Sequence, residues 1–169
     1  MLFKTYQKLL GASCLSLYLV GCGSGGSGES PVEIEKNDFN STLKIISKVD
    51  SVTIQGVKLN RGNCVVNFVP VREAVQDALS QQDALSQITP ISMQDFKDMA
   101  SVYKKFTNKD KERVANIENR ISQLKQKGVM MEPQSLKFGE SLKGISEGCN
   151  IIEAEIQTDK GAWTFNFDR

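Results

Sequence analysis

Four cysteines, Cys14, Cys22, Cys64 and Cys149, are the side chains best suited to covalent chemistry here, and they must act without histidine, because the 169 residues contain none. That absence removes the usual proton carrier near neutral pH, the Ser-His-Asp and Cys-His constellations, and most catalytic zinc sites. Two carboxylates, Glu153 and Glu155, alternate in a strand-like run and so share one face. Alternation alone explains such a pair as the solvated side of a sheet. Trp163, Phe165 and Phe167 repeat with the same period and read as the inward face of a strand, although an aromatic stripe could also line a ligand groove. Gly23-Ser24-Gly25-Gly26 has neither the preceding strand nor the following helix that a phosphate cradle requires. These residues point to a protein that is not an enzyme, with no cofactor and no metal site.

Cys22 stands in a more telling context. Met1-Leu2-Phe3-Lys4 and Lys8 make a basic start, and Leu9 to Val20 is apolar, the layout of a secretory signal. Those 12 residues are too few for a membrane-spanning helix, which needs roughly 20. Leu19-Val20-Gly21-Cys22 resembles the lipobox of bacterial lipoprotein precursors, a likeness confined to the amino-terminal segment. The resemblance implies that residues 1–21 are a signal peptide, that Cys22 receives a diacylglyceryl group, and that the new amino terminus is acylated after cleavage. It also implies that Gly23, in place of Asp at the second mature position, sends the protein to the outer membrane of a Gram-negative cell. There it would face the periplasm or the cell surface, with the membrane as a partner through acylated Cys22.

On that reading Cys14 leaves with the signal and Cys22 carries lipid, so Cys64 and Cys149 are the remaining thiols. An exported chain most simply pairs them. The bond would close a loop of about 86 residues and remove roughly 4 to 5 kcal/mol of unfolded-state entropy on the chain-entropy model. Two buried free thiols or two metal ligands are the alternatives, and two cysteines without histidine make a poor zinc site.

Charge excludes one class of partner. Lys4 and Lys8 precede Cys22 and no acid does, so the mature chain holds 19 Lys or Arg against 20 Asp or Glu. No global basic field is present to attract nucleic acid.

The elements that would position these residues fall into three blocks. Residues 22–40, from the lipidated cysteine through Gly23-Ser24-Gly25-Gly26-Ser27-Gly28, read as a flexible tether spanning about 23 Å. Residues 41–169 read as one β domain, folded from about Leu43, with a helical insert at 71–128. Val52 to Leu59 alternates until Gly56, where a bulge or turn would change the phase, Asn60-Arg61-Gly62-Asn63 supplies turn chemistry, and Cys64 to Val69 reads as another strand. In the insert, a first helix spans about Val71 to Gln87, and a second begins at Ser92 with Asp95 three residues on. The third carries Val114, Ile117, Ile121 and Leu124 as one apolar stripe and ends at Gly128. Within the first helix, Gln76 to Gln81 repeats as Gln82 to Gln87, and a six-residue repeat turns a helix by about 600°, so the copies cannot share one buried face. Beyond Pro133, Leu136 to Leu142 alternates around Gly139, and Ile151 to Gln157 forms a hairpin with the Trp163 strand through Thr158-Asp159-Lys160-Gly161. The expected fold is α+β, a small antiparallel β-sandwich or barrel-like sheet with a helical insertion between its N-terminal and C-terminal strands.

The functional expectation is a lipid-anchored, non-enzymatic accessory module whose insert contacts a partner envelope protein through Val114, Ile117, Ile121 and Leu124. In plan it is similar to small accessory lipoproteins of conjugation, secretion or entry-exclusion systems. A periplasmic or surface domain holding a small apolar or glycan ligand is the alternative. Replacing the lipid acceptor, Cys22→Ser, should leave an unprocessed precursor that takes up no labelled fatty acid. Undiminished label on that variant would contradict the lipoprotein reading.

Overall fold

Alternating runs pair into two antiparallel sheets. The structure is a computed structural model that describes residues 28–70, 87–106 and 111–167. One sheet contains β1 (Val32–Asn37), β2 (Thr42–Ser47) and β5 (Ser141–Ile145) in the order β1-β2-β5. The other contains β3 (Ser51–Leu59), β4 (Gln134–Lys137), β6 (Glu153–Thr158) and β7 (Gly161–Asn166) in the order β4-β3-β6-β7. A turn at Asn60–Gly62 and two helices, α1 (Met93–Phe106) and α2 (Lys111–Gln126), lie between β3 and β4. The molecule is an α+β sandwich with a helical segment between its N-terminal and C-terminal strands.

Alternate residues of each strand fill the space between the sheets. Leu43 and Ile45 of β2, Val52 and Ile54 of β3, and Ala154 and Ile156 of β6 are buried in one cluster. Each fully buried Val, Leu or Ile contributes about 1.5 to 3 kcal/mol before entropy is counted. Phe165 and Phe167 pack against the same cluster from the edge, as their spacing predicts. Gly56 is the bulge: the β3–β6 register shifts between Ile54 and Gly56, and a Cβ there would come within 2.7 Å of the Gln157 side-chain oxygen. The β6–β7 hairpin turns at Thr158 to Gly161, where the Thr158 hydroxyl accepts from Lys160 N–H and donates to the Gly161 carbonyl.

Three expectations change. The folded part begins at Val32, inside the expected tether, because Val32 is buried and Ile34 packs on the core while Glu33 and Glu35 face water. Two apolar residues in an acidic run suffice when β2 supplies the ladder from Val32↔Ser47 to Asn37↔Thr42. Leu136 to Leu142 is not one strand: the chain turns at Gly139, φ 76°, and passes from β4 in one sheet to β5 in the other. Cys64 to Val69 is not a strand either. It makes single bridges at Cys64 to Leu59 and at Asn67 to Ile145, while the N–H groups of Phe68 and Val69 are bound by a side chain, Asp95. The expected first helix and the six-residue repeat fall, but for Gln87, outside the described residues, as does Cys22.

A chain starting at Pro31 should therefore keep its urea midpoint, whereas one starting at Ser41 loses β1 and uncovers the β2 edge. The shorter chain should lose several kcal/mol, on the order of two or three buried aliphatic side chains. An unchanged midpoint would show that β1 is dispensable.

Candidate functional site

Cys64 and Cys149 are joined, with Cα atoms 6.0 Å apart at a sequence separation of 85. The left-handed turn that delivers Cys64 has three successive residues at positive φ: Asn60 at 48°, Arg61 at 59° and Gly62 at 89°. Only glycine adopts that region freely, so the two non-glycine residues need compensation. Asn60 supplies it. Its amide nitrogen donates to the Asn150 carbonyl at 2.8 Å and lies 3.1 Å from the Cys64 sulfur, and its Oδ1 accepts from the N–H groups of Ile152 and Glu153. One amide thus joins the disulfide to the start of β6.

The second fixed point is Asp95, which is wholly buried. Ser92 caps α1: its hydroxyl accepts from Asp95 N–H at 3.0 Å, and the Asp95 Oδ2 accepts from the Ser92 N–H and hydroxyl at 2.8 and 2.7 Å. This reciprocal cap is the one that the Ser92 and Asp95 spacing predicts. The sequence does not reveal what the other oxygen does. Oδ1 accepts from Phe68 and Val69 N–H at 3.0 and 3.2 Å, so the carboxylate also binds the extended arm that follows Cys64. The first turn of a helix favours negative charge at this place.

Around that cap the base of the helical pair is closed by backbone bonds, Met93 N–H to the Met130 carbonyl and Glu132 N–H to the Ile91 carbonyl. Met131 then enters the sandwich core. α2 is capped just beyond Gln126 by Gly128, φ 69°, with Gly128 N–H bonded to the Lys125 carbonyl and Val129 N–H to the Leu124 carbonyl, a C-terminal cap of the Schellman type. Arg120 grips the Glu132 carboxylate through two nitrogens and ties α2 to the return chain.

The α2 stripe is used inside the molecule. Val114 and Ile117 pack on Met99 and Tyr103 of α1, and Leu124 is buried. Ile121 lines a shallow depression between the helices, which the Lys104–Glu118 ion pair borders. Part of the stripe thus meets a sibling helix, while Val114, Ile117 and Ile121 stay half-buried, because an amphipathic pattern specifies an apolar face without specifying what covers it. Glu153 and Glu155 are likewise engaged, with Arg61 at 3.4 Å and Lys58 at 3.6 Å respectively. Trp163 lies opposite Ile156 on β6, on the inward side.

Beside the depression at Ile121, of about 400 Å³, a second open feature is a groove of about 240 Å³ between the disulfide arm and α1. Its lining includes buried Val57, Val66 and Met131, with Val65, Met93 and Lys97 nearer the solvent. Val65 is 56% exposed, and among the described residues only Phe39 and Phe138 are large apolar side chains left more exposed. The chemistry on offer is an apolar trough, rich in adaptable methionine, with lysine at its rim.

Both walls depend on the two fixed points. Asp95→Ala removes the cap and leaves the buried donors of Ser92 and the half-buried N–H groups of Phe68 and Val69 without their acceptor, so it should destabilise by about 2 to 4 kcal/mol. Asp95→Asn should recover only part of that, because its NH₂ must face N–H donors. Urea unfolding of both variants measures it, and a cost below about 0.5 kcal/mol, the range of an ordinary surface change, would contradict the geometry.

No protein-family model, curated protein or solved structure matches this chain, so its function rests on the site itself.

Proposed function

We infer that this chain is a lipid-anchored protein of the bacterial outer membrane that acts without catalysis, as an accessory to another envelope protein. The partner contact lies in the groove between α1 and the disulfide arm. The lipobox-like residues around Cys22 support the anchor. The exposed apolar trough beside Val65 is the observation that carries the interaction, since Val114 and Ile117 of the α2 stripe pack on α1.

The occupant that fits is an extended or helical segment with one or two apolar side chains and an acidic residue beside them. Apolar atoms would meet Val57, Met93 and Met131, and the acid would meet Lys97 at the rim. A small-molecule site is less well supported. Pockets that enclose such ligands are usually about 300 to 1,000 Å³, and this groove is both smaller and open at Val65. Within the aromatic stripe that could line a ligand groove, Phe165 and Phe167 pack on the core instead.

A photo-crosslinking residue placed at Val65 or Lys97 in the full chain should trap one partner protein in intact envelopes, and one placed at Lys111 on α2 should not. Val65→Asp and Lys97→Glu should each lower recovery of that partner at least about tenfold, a change of roughly 1.4 kcal/mol, with unchanged circular dichroism. Equal trapping from Lys111, or recovery indifferent to Val65→Asp, would contradict the groove as the contact.

A further inference from the structure

A sheet edge presents unpaired backbone donors and acceptors, and folded proteins normally blunt it with charge, brevity or a cover. Three of the four edges here are blunted. β1 carries Glu33, Glu35 and Lys36; β4 has four residues; and β5 is covered by Asn67, whose N–H and carbonyl bond Ile145, and by Val65, whose carbonyl accepts from the Ser146 hydroxyl. β7 is not. Its six residues, Gly161-Ala162-Trp163-Thr164-Phe165-Asn166, contain no charge and no proline, and among the described residues β6 is its one neighbour in the sheet.

The β6 register fixes which groups of β7 point outward. Phe167 N–H bonds the Ile152 carbonyl, so bonded pairs recur at Ala154↔Phe165 and Ile156↔Trp163. The backbone N–H and carbonyl groups of Ala162, Thr164 and Asn166 therefore face away from β6, and no hydrogen bond reaches them from a described residue. Thr164 and Asn166 are exposed. On the opposite face of the same strand, the buried indole N–H of Trp163, the chain's one tryptophan, lacks a partner among the described residues.

We propose that β7 is a pairing edge for a second copy of this chain, joined antiparallel about a two-fold axis at Thr164. That register opposes Ala162 to Asn166 of the second copy and Thr164 to its own counterpart, so every outward group finds a partner. It also sets Trp163 beside Phe165 of the second copy in a non-bonded pair, where side chains approach most closely and aromatic pairs contribute most. The strand is complementary to itself, with no charge to oppose a like charge across the axis, and the dimer extends the four-stranded sheet to eight strands. The edge lies apart from the groove, so this inference stands whether or not the groove binds a partner.

Full-length chain in its own membrane tests the register without reductant, so that Cys64 and Cys149 stay bonded. Thr164→Cys places two thiols opposite each other, and a short bismaleimide should convert the chain to a homodimer. Ala162→Cys alone should not, because the two thiols would stand four residues, about 13 Å, apart along the strands. Co-expressed Ala162→Cys and Asn166→Cys chains should cross-link to one another. Glu35→Cys on the charged β1 edge should give at least about tenfold less dimer than Thr164→Cys. Absence of a Thr164→Cys homodimer, an adduct of another mass at that position, or equal yield from Glu35→Cys would each overturn the proposal.

Discussion

One buried carboxylate organises the interface between helices and sheets. Asp95 accepts four hydrogen bonds, two from the start of its own helix and two from the arm behind Cys64. Hydrogen bonds to a charged group are worth about 1.5 to 3 kcal/mol each, but removing the carboxylate from water costs a comparable amount, so the net gain is modest. What the group supplies is position. Any slide of α1 along the arm breaks two of the four bonds at once and leaves two half-buried donors without their acceptor. The trough between arm and helix therefore keeps a fixed width. The disulfide and Asn60 hold its other wall by the same logic, with one amide compensating a turn whose backbone is otherwise unfavourable.

Much of this was legible where the signal is local. Gly56 interrupts an alternation and is a bulge, Ser92 and Asp95 have cap spacing and form a cap, and Thr158 to Gly161 is a turn between alternating runs. The Cys64 and Cys149 pair followed from accounting for the other two cysteines. Misreadings came from long-range partners. Val32 and Ile34 looked like tether because their neighbours are acidic, and only β2 makes them a strand. Cys64 to Val69 has strand composition, yet an aspartate 26 to 27 residues away takes the N–H groups a ladder would use. The stripe from Val114 to Leu124 announced a buried face truthfully, but periodicity carries no information about whether a sibling helix or a foreign protein buries it.

Locating the contact in the groove also changes its relation to the membrane. With β1 beginning at Val32, nine residues separate Cys22 from the first strand, a contour length of at most about 32 Å. On the proposed lipid anchor at Cys22, that length bounds the distance from the leaflet to β1. A partner reaching the trough must then be a neighbour in the same envelope layer, which agrees with an accessory role better than with capture of a free solute.

The central claim is that Asp95 holds arm and helix as one rigid unit, and amide hydrogen exchange of the native protein reads it directly. Phe68 and Val69 lie outside every strand, and among the described residues the acceptor of their N–H groups is the Asp95 carboxylate. The account predicts that these two amides exchange only through large-scale unfolding, with the same free energy and denaturant dependence as those of Ile54 and Ile156 in the core strands. Exchange of Phe68 and Val69 at the rates of an exposed loop, while Ile54 and Ile156 stay protected, would contradict it.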